Sequence, residues 1–189
     1  MGRHVKAAFK GLEQFRDKLQ RLSDEQVQMF IESVAKELAA RLLAKVIKRT
    51  PVGDYGKSIV RDESGAAVRL QSGKNKGKVK KQVVKMGGTL RRGWTAKTEA
   101  EAESGSGKGT DAVVYANSLA IRKIDSDYVI EVINPVHYAS YVEFGHRTAN
   151  HKGWVEGRFM LTISEQELET DAPRVIENKL IKYLGEVFK

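Results

Sequence analysis

The sequence predicts an α+β fold: a long N-terminal helix and C-terminal helices packed on a small antiparallel β-sheet, with a long basic loop or hairpin arm. Three observations lead there. Apolar residues recur at three- and four-residue steps from Val27 to Val46, the mark of an amphipathic helix. The run DYVIEVINP (127–135) alternates its side chains and is rich in β-branched residues, as a strand requires. Helical spacing then returns and persists to the C-terminus. At 189 residues the chain is expected to form one domain, 1–189, long enough to bury a core.

Taken in order, RHVKAAF (3–9) is read as a short strand broken by Gly11, and Leu12, Phe15, Leu19 and Leu22 as a short amphipathic helix. Ser23 followed by Gln26 is a capping-box pattern. Val27, Ile31, Val34, Leu38, Leu42 and Val46 mark one face of the long helix, which reaches Arg49. Thr50-Pro51-Val52-Gly53 stops it, because proline disfavours helical geometry in the residue before it. Residues 55–110 are expected to be an inserted, flexible basic arm, within which KVKKQVVKM (78–86) is compatible with an exposed strand and a hairpin-like projection. EAEAESGSGKGTD (99–111) is polar and reads as loop. DSD (125–127) is a turn joining an antiparallel pair. HYASYVEFG has Tyr138, Tyr141 and Val142 at helical spacing, with Gly145 as its C-terminal stop. RFMLTISEQELE (158–169) reads as one helix; a second follows Thr170-Asp171, with Pro173 in its first turn.

Composition excludes several classes. Hydrophobic content of 41% and charged content of 30% are ordinary for a soluble globular protein. No run approaches the roughly 18–20 apolar residues of a membrane span, so no membrane partner is expected, and the N-terminus lacks the apolar core of a secretory signal. With no cysteine, disulfides, thiolate metal sites and thiol catalysis are excluded, which favours a reducing compartment. The net charge is +9 and unevenly placed. Residues 57–94 hold eleven lysines and arginines against Asp62 and Glu63, an excess equal to that of the whole chain. Such a concentration points to a local polyanion or subunit contact, and Lys74, Lys76, Lys78, Lys80, Lys81, Lys85, Arg91 and Arg92 are its candidates.

The densest cluster of chemistry-bearing side chains is NPVHYASYVEFGHR (134–147). Glu143 and His146 would share a helix face and His137 lies nearby, but Gly145 ends that helix and the H-E-x-x-H zinc pattern is absent. No G-x-S-x-G elbow occurs, and GSGKGT lacks the spacing of a phosphate-binding loop. The carboxylates at 99–103 and 165–171 read as solvated. No catalytic residue, metal ligand or cofactor site is therefore assigned, and the chain is not expected to be an enzyme. The aromatics are read as a packed turn with a contact surface: Tyr138, Tyr141, Glu143, His146, Arg147, Trp154 and Arg158 are candidate subunit-interface residues, while Phe144 and Phe159 are assigned to core.

A resemblance accompanies this reading. A helix ending in RTPVGD, then GGTLRRGW (87–94), a strand ending in asparagine, HYASYVEFGHR and GRFMLTISEQELE together resemble the minor tail-component family of siphophages and related prophages. That family is described as neck, head–tail joining or tail-completion proteins. In it a TPV…TG-x-LR-x-x-W segment follows the long helix, and YA-x-YVEFG-x-R precedes an R-F-M/L helix start. Here the first motif is split, with residues 55–86 as an apparent insertion, while Tyr138–Arg147 and Arg158-Phe159-Met160 match intact. The resemblance implies a structural virion protein in the neck or tail end, assembled in the host cytoplasm. It implies a ring of identical copies, with a hexamer as candidate stoichiometry. Portal-connector and tail-terminator or tail-tube proteins would be its neighbours, with nonspecific DNA contact in the lumen. A stand-alone sequence-nonspecific nucleic-acid-binding module is the alternative.

Overall fold

In a computed structural model of the chain, residues 24–83, 87–105, 109–125 and 127–187 are described. The strand at 3–9, the helix at 12–22, the Ser23 cap and Lys85 lie outside those residues. The chain divides into two compact units: residues 1–48, 111–133 and 159–189 form one, and 49–110 with 134–158 the other.

The first unit rests on two long helices, α1 (Asp24–Arg49, of which all but Arg49 belong to this unit) and α6 (Met160–Val187). Of the predicted stripe, Val34 and Val46 are buried, but Leu43, Ala39 and Ala40 join them while Val27 is exposed. The buried face is thus rotated from the one the largest side chains marked, since small alanines admit closer packing than the intervening leucines. Met160, Ser164 and Val175 are buried positions of α6. Polar contacts along the helix pair give an antiparallel register: Lys45 Nζ reaches Glu167 (3.2 Å) and Asp171 (3.0 Å), Lys179 Nζ reaches Glu37 Oε2 (2.8 Å), and the Tyr183 hydroxyl donates to the Gln26 carbonyl (3.0 Å).

One expectation fails here. Residues 160–187 are a single helix that runs through Pro173, not two helices divided at Thr170-Asp171. Proline removes one helical hydrogen bond and crowds the preceding turn. Contacts to α1 on both sides of Pro173, from Lys45 before it and from Glu37 after it, hold the helix together across the defect.

Glu37 is the clamp of this pair. Hydrogen bonds from Lys179 and then Arg41 hold its carboxyl below the usual value. Because the folded-state value is lowered, its contribution is complete above the unfolded carboxylate range and is lost as pH falls through the folded value. Glu37→Gln should cost about 1 kcal/mol at neutral pH, and the gap to wild type should close on acidification. Urea titrations at pH 7 and at mildly acidic pH check this; an unchanged gap would remove Glu37 from the clamp.

Between the long helices in sequence lie α4 (Ala112–Ser118) and the hairpin β3 (Ile121–Ile124)–β4 (Asp127–Ile130), paired antiparallel with Ile121 opposite Ile130 and Ile124 opposite Asp127. The turn is where DSD placed it, although β4 stops at Ile130, short of Pro135. The Asp111 carboxylate accepts from the Val113 and Val114 amides, so an N-cap turns a β-prone VVY run into helix.

The second unit contains the hairpin β1 (Lys57–Ile59)–β2 (Lys81–Val83), the short helices α2 (Thr89–Gly93), α3 (Glu99–Ser104) and α5 (Ala139–Phe144), and the hairpin β5 (Gly145–Arg147)–β6 (Trp154–Glu156). The α+β class holds, with three separate two-stranded antiparallel ribbons in place of one sheet. Residues 89–104, expected within the flexible arm, form this unit's core instead: Leu90, Trp94, Ala96 and Ala102 are buried. The acidic EAEAES run is helical because Thr98 caps it, its hydroxyl accepting from the Glu101 amide while Glu101 accepts from the Lys97 amide. Ala102 on its inner face is fully buried.

Candidate interaction surfaces

The second unit is organised around Thr50. Its hydroxyl accepts from Trp94 Nε1 (2.8 Å), and its carbonyl accepts two hydrogen bonds from the Arg91 guanidinium. Asn134 Nδ2 donates to the Leu90 carbonyl (2.8 Å), and Asn134 Oδ1 accepts from the Val136 amide (3.2 Å). A Cβ on Gly93 would lie 2.2 Å from that Asn134 oxygen, so the position is closed to a side chain. TPVG, GGTLRRGW and Asn134, dispersed in sequence, therefore meet at one place. The split between the first two also closes in space, because a Cβ on Gly87 would sit 2.1 Å from the Gly53 carbonyl oxygen. The segment between them enters and leaves through this pinch.

That segment is a β-arm built on a three-way junction. The Val60 amide donates to Lys80, the Lys80 amide to Val68, and the Val68 amide to Val60, at 2.7–2.9 Å. Below the junction runs the β1–β2 hairpin, and above it two turns separate. In the first turn, Asp62 Oδ1 accepts from the Ser64 hydroxyl and from the Ser64 and Ala66 amides. The hydroxyl bond leads the causes that hold its carboxyl below the usual value. In the second, Gly73 and Gly77 take left-handed backbone, and the Gly77 amide returns to Leu70. Lys74, Lys76, Lys78, Lys80 and Lys81 are all exposed on this arm. Closing the pinch with a short glycine–serine linker in place of 55–86 should leave the melting temperature within a few degrees, since the arm satisfies its backbone internally. Loss of cooperative thermal unfolding in that variant would show that the arm is part of the core.

The two arginines grouped with those lysines behave differently. Arg92 is buried, and its guanidinium donates to the Ala102 carbonyl (2.8 Å), the Gly87 carbonyl (3.1 Å) and the Thr89 hydroxyl. Arg91 is held on Thr50. Both are internal fasteners, which corrects their assignment to a polyanion surface. The residues that sequence reasoning passed over here are Thr50 and Asn134, whose signal was the motif text itself.

The second surface is the segment 138–158. Gly145, at φ 87°, ends α5 and starts β5, and the Arg158 amide donates to the Val142 carbonyl (2.8 Å). A Cβ on Gly157 would lie 2.2 Å from the Glu143 carbonyl oxygen, so backbone packs directly on backbone. This frame leaves Tyr141, Phe144 and Trp154 57%, 60% and 59% exposed. Arg147 stands opposite Trp154, and His146 opposite Val155 with its ring 5.8 Å from that of Tyr141. Trp154 lies over Gly145, where a Cβ would meet Nε1 at 2.9 Å. Arg158 is exposed, as are His146 and Arg147. Tyr138 is half-buried, and burial, then Tyr55 and Glu99, raise its phenol. Glu143 is buried, so it belongs to the frame and not to the contact surface. Phe144 and Phe159, assigned to core, are both exposed: Gly145 turns the chain directly after Phe144, and Phe159 sits at φ 46° just before α6.

His137 Nδ1 lies 2.5 Å from Glu99 Oε1, so the first histidine of the 134–147 cluster is tied to α3. Among the described residues no group of three or more His, Cys, Asp or Glu is arranged to hold a metal ion, and no helix is long and apolar enough to cross a membrane.

An exposed aromatic hairpin and a cationic arm are surfaces for macromolecular contact, the class of a structural assembly protein. The chain belongs to the HK97-gp10-like family, described as "Bacteriophage HK97-gp10, putative tail-component", whose model matches residues 13–145. It is thus a structural component of a phage tail, and of the virion. No curated protein and no solved structure matches it.

Proposed function

We propose that this protein is a ring component of the phage neck or tail end, completing the tail or joining the head to it, and is not an enzyme. The observation that carries the reading is the aromatic set Tyr141, Phe144 and Trp154, left exposed by a frame too tightly packed to withdraw it. Apolar aromatics beside His146 and Arg147 are the composition of an interface centre. Identical copies joined through a surface and a different patch on the next copy form a heterologous contact, which closes into a ring, with a hexamer as candidate. Portal-connector and tail-terminator or tail-tube proteins are the neighbours proposed above and below, and assembly takes place in the host cytoplasm. The whole chain acts as one functional domain carrying residues 55–86 as an insertion.

The test is electron microscopy of particles from a producer strain lacking this gene. Unjoined full heads beside finished-looking tails, rescued by adding the purified protein, are the expected result. Normal, joined, infectious particles would defeat the joining role. A second reading, a stand-alone nucleic-acid-binding module, is favoured by the arm's charge and expects those normal particles. The aromatic surface has its own test: Trp154→Ala and Phe144→Ala should shift stability by less than about 1 kcal/mol, as exposed positions do, yet abolish rescue. Full rescue by both variants would move the interface elsewhere.

A further inference from the structure

We infer that the β-arm is a sequence-blind clamp for duplex nucleic acid backbone, in which lysines make the phosphate contacts and arginines hold the arm's shape. Within the described part of the arm stand Lys57, Arg61, Arg69, Lys74, Lys76, Lys78, Lys80 and Lys81. Among the described residues none of these cations is in an ion pair, and the arm's Asp62 carboxylate is consumed by its own turn. Leaving so much like charge together raises the energy of the free protein, and an external polyanion removes that cost while releasing its own counterions.

The division of labour follows from the hydrogen bonds. Arg61 Nη1 donates to the Gly65 carbonyl (2.8 Å) and closes the first turn. Arg69 Nη1 donates to the Gly77 carbonyl (2.7 Å) and closes the second. A guanidinium latched this way does not present the free fork that reads guanine in a major groove. The lysine ammoniums carry no such restraint, apart from one bond between Lys78 and Asn75. Lys78 and Lys80 flank Val79, which bridges Arg69 across the arm, and both are exposed. Between Lys57 and Val83 the arm holds no aromatic side chain, and Tyr55 at its base is the one aromatic of the inserted segment, so it offers no run of stacking platforms for unpaired bases. An acidic protein surface is the weaker partner, because its carboxylates are sparser than phosphates on a duplex, one charge per about 1.7 Å of axis.

The experiment measures binding of the full-length protein to a fluorescent 20-base-pair duplex across a salt series. The affinity should fall with a log–log slope of up to about 5, at roughly 0.9 per neutralised phosphate. GC-rich and AT-rich duplexes should bind within about twofold of each other, and the matching single strand no tighter than the duplex. Replacing Lys74, Lys76, Lys78, Lys80 and Lys81 by Gln should reduce the slope to about 1, whereas Arg69→Lys, which keeps the charge, should leave affinity within about twofold. A slope unchanged in the five-lysine variant, preference for the single strand, or equal binding of polyglutamate at the same salt would each overturn the inference. The readout is independent of particle assembly, so failure here leaves the ring reading standing, and failure of rescue leaves this one.

Discussion

Trp94→Ala is expected to destabilise the protein by roughly 3–5 kcal/mol, the range for removing a large buried aromatic. Trp94 is 4% exposed, and its indole N–H is the partner of the Thr50 hydroxyl, which is itself fully buried. The substitution therefore opens a cavity and also removes the indole's hydrogen bond to a buried hydroxyl where the TPVG and GGTLRRGW segments meet. Trp94→Phe separates these effects: it keeps most of the volume and loses only the hydrogen bond, for about 1–2 kcal/mol. Chemical denaturation with a global fit gives both numbers. Equal, small losses in the two variants would show that the indole is not the keystone of the second unit.

Arg92 gives the second large effect. Replacing it by Met keeps the aliphatic stem but removes donors to two carbonyls and a hydroxyl inside the unit, and should cost about 3 kcal/mol. Arg92→Lys should recover little, because one ammonium cannot span acceptors placed around a planar fork. In the duplex-binding assay the folded fraction of Arg92→Met should behave as wild type, which sets Arg92 apart from the arm lysines. A salt slope reduced by about 1 in Arg92→Met would return this residue to the polyanion surface.

Several features were legible from the chain because they depend on neighbours in sequence. Thr50-Pro51 ends α1 by local sterics, the DSD turn sets the β3–β4 register, and Gly145 supplies the positive φ that stops α5. TPVGD and GGTLRRGW are apart in sequence, and the Gly53–Gly87 contact brings them together. The capping box at Thr98 and Glu101 was equally local and equally readable, but the polar composition of EAEAES hid it.

Other features needed the folded chain. Pro173 is a helix-start signal to any local rule, and only the contacts of α1 on both sides of it keep α6 continuous. Arg91 and Arg92 look like members of a basic run until Thr50 and Ala102, about forty and ten residues away, supply their carbonyls. Phe144 looks like core until the turn at Gly145 leaves it in solvent. The sequence by itself determined the α+β class, the family motifs and the place where charge accumulates, since these rest on periodicity, backbone sterics and composition. Tertiary structure alone decided which cations are fasteners and which are free, and which aromatics are frame and which are surface. Burial and hydrogen-bond partners are set by residues that meet only when the chain has folded.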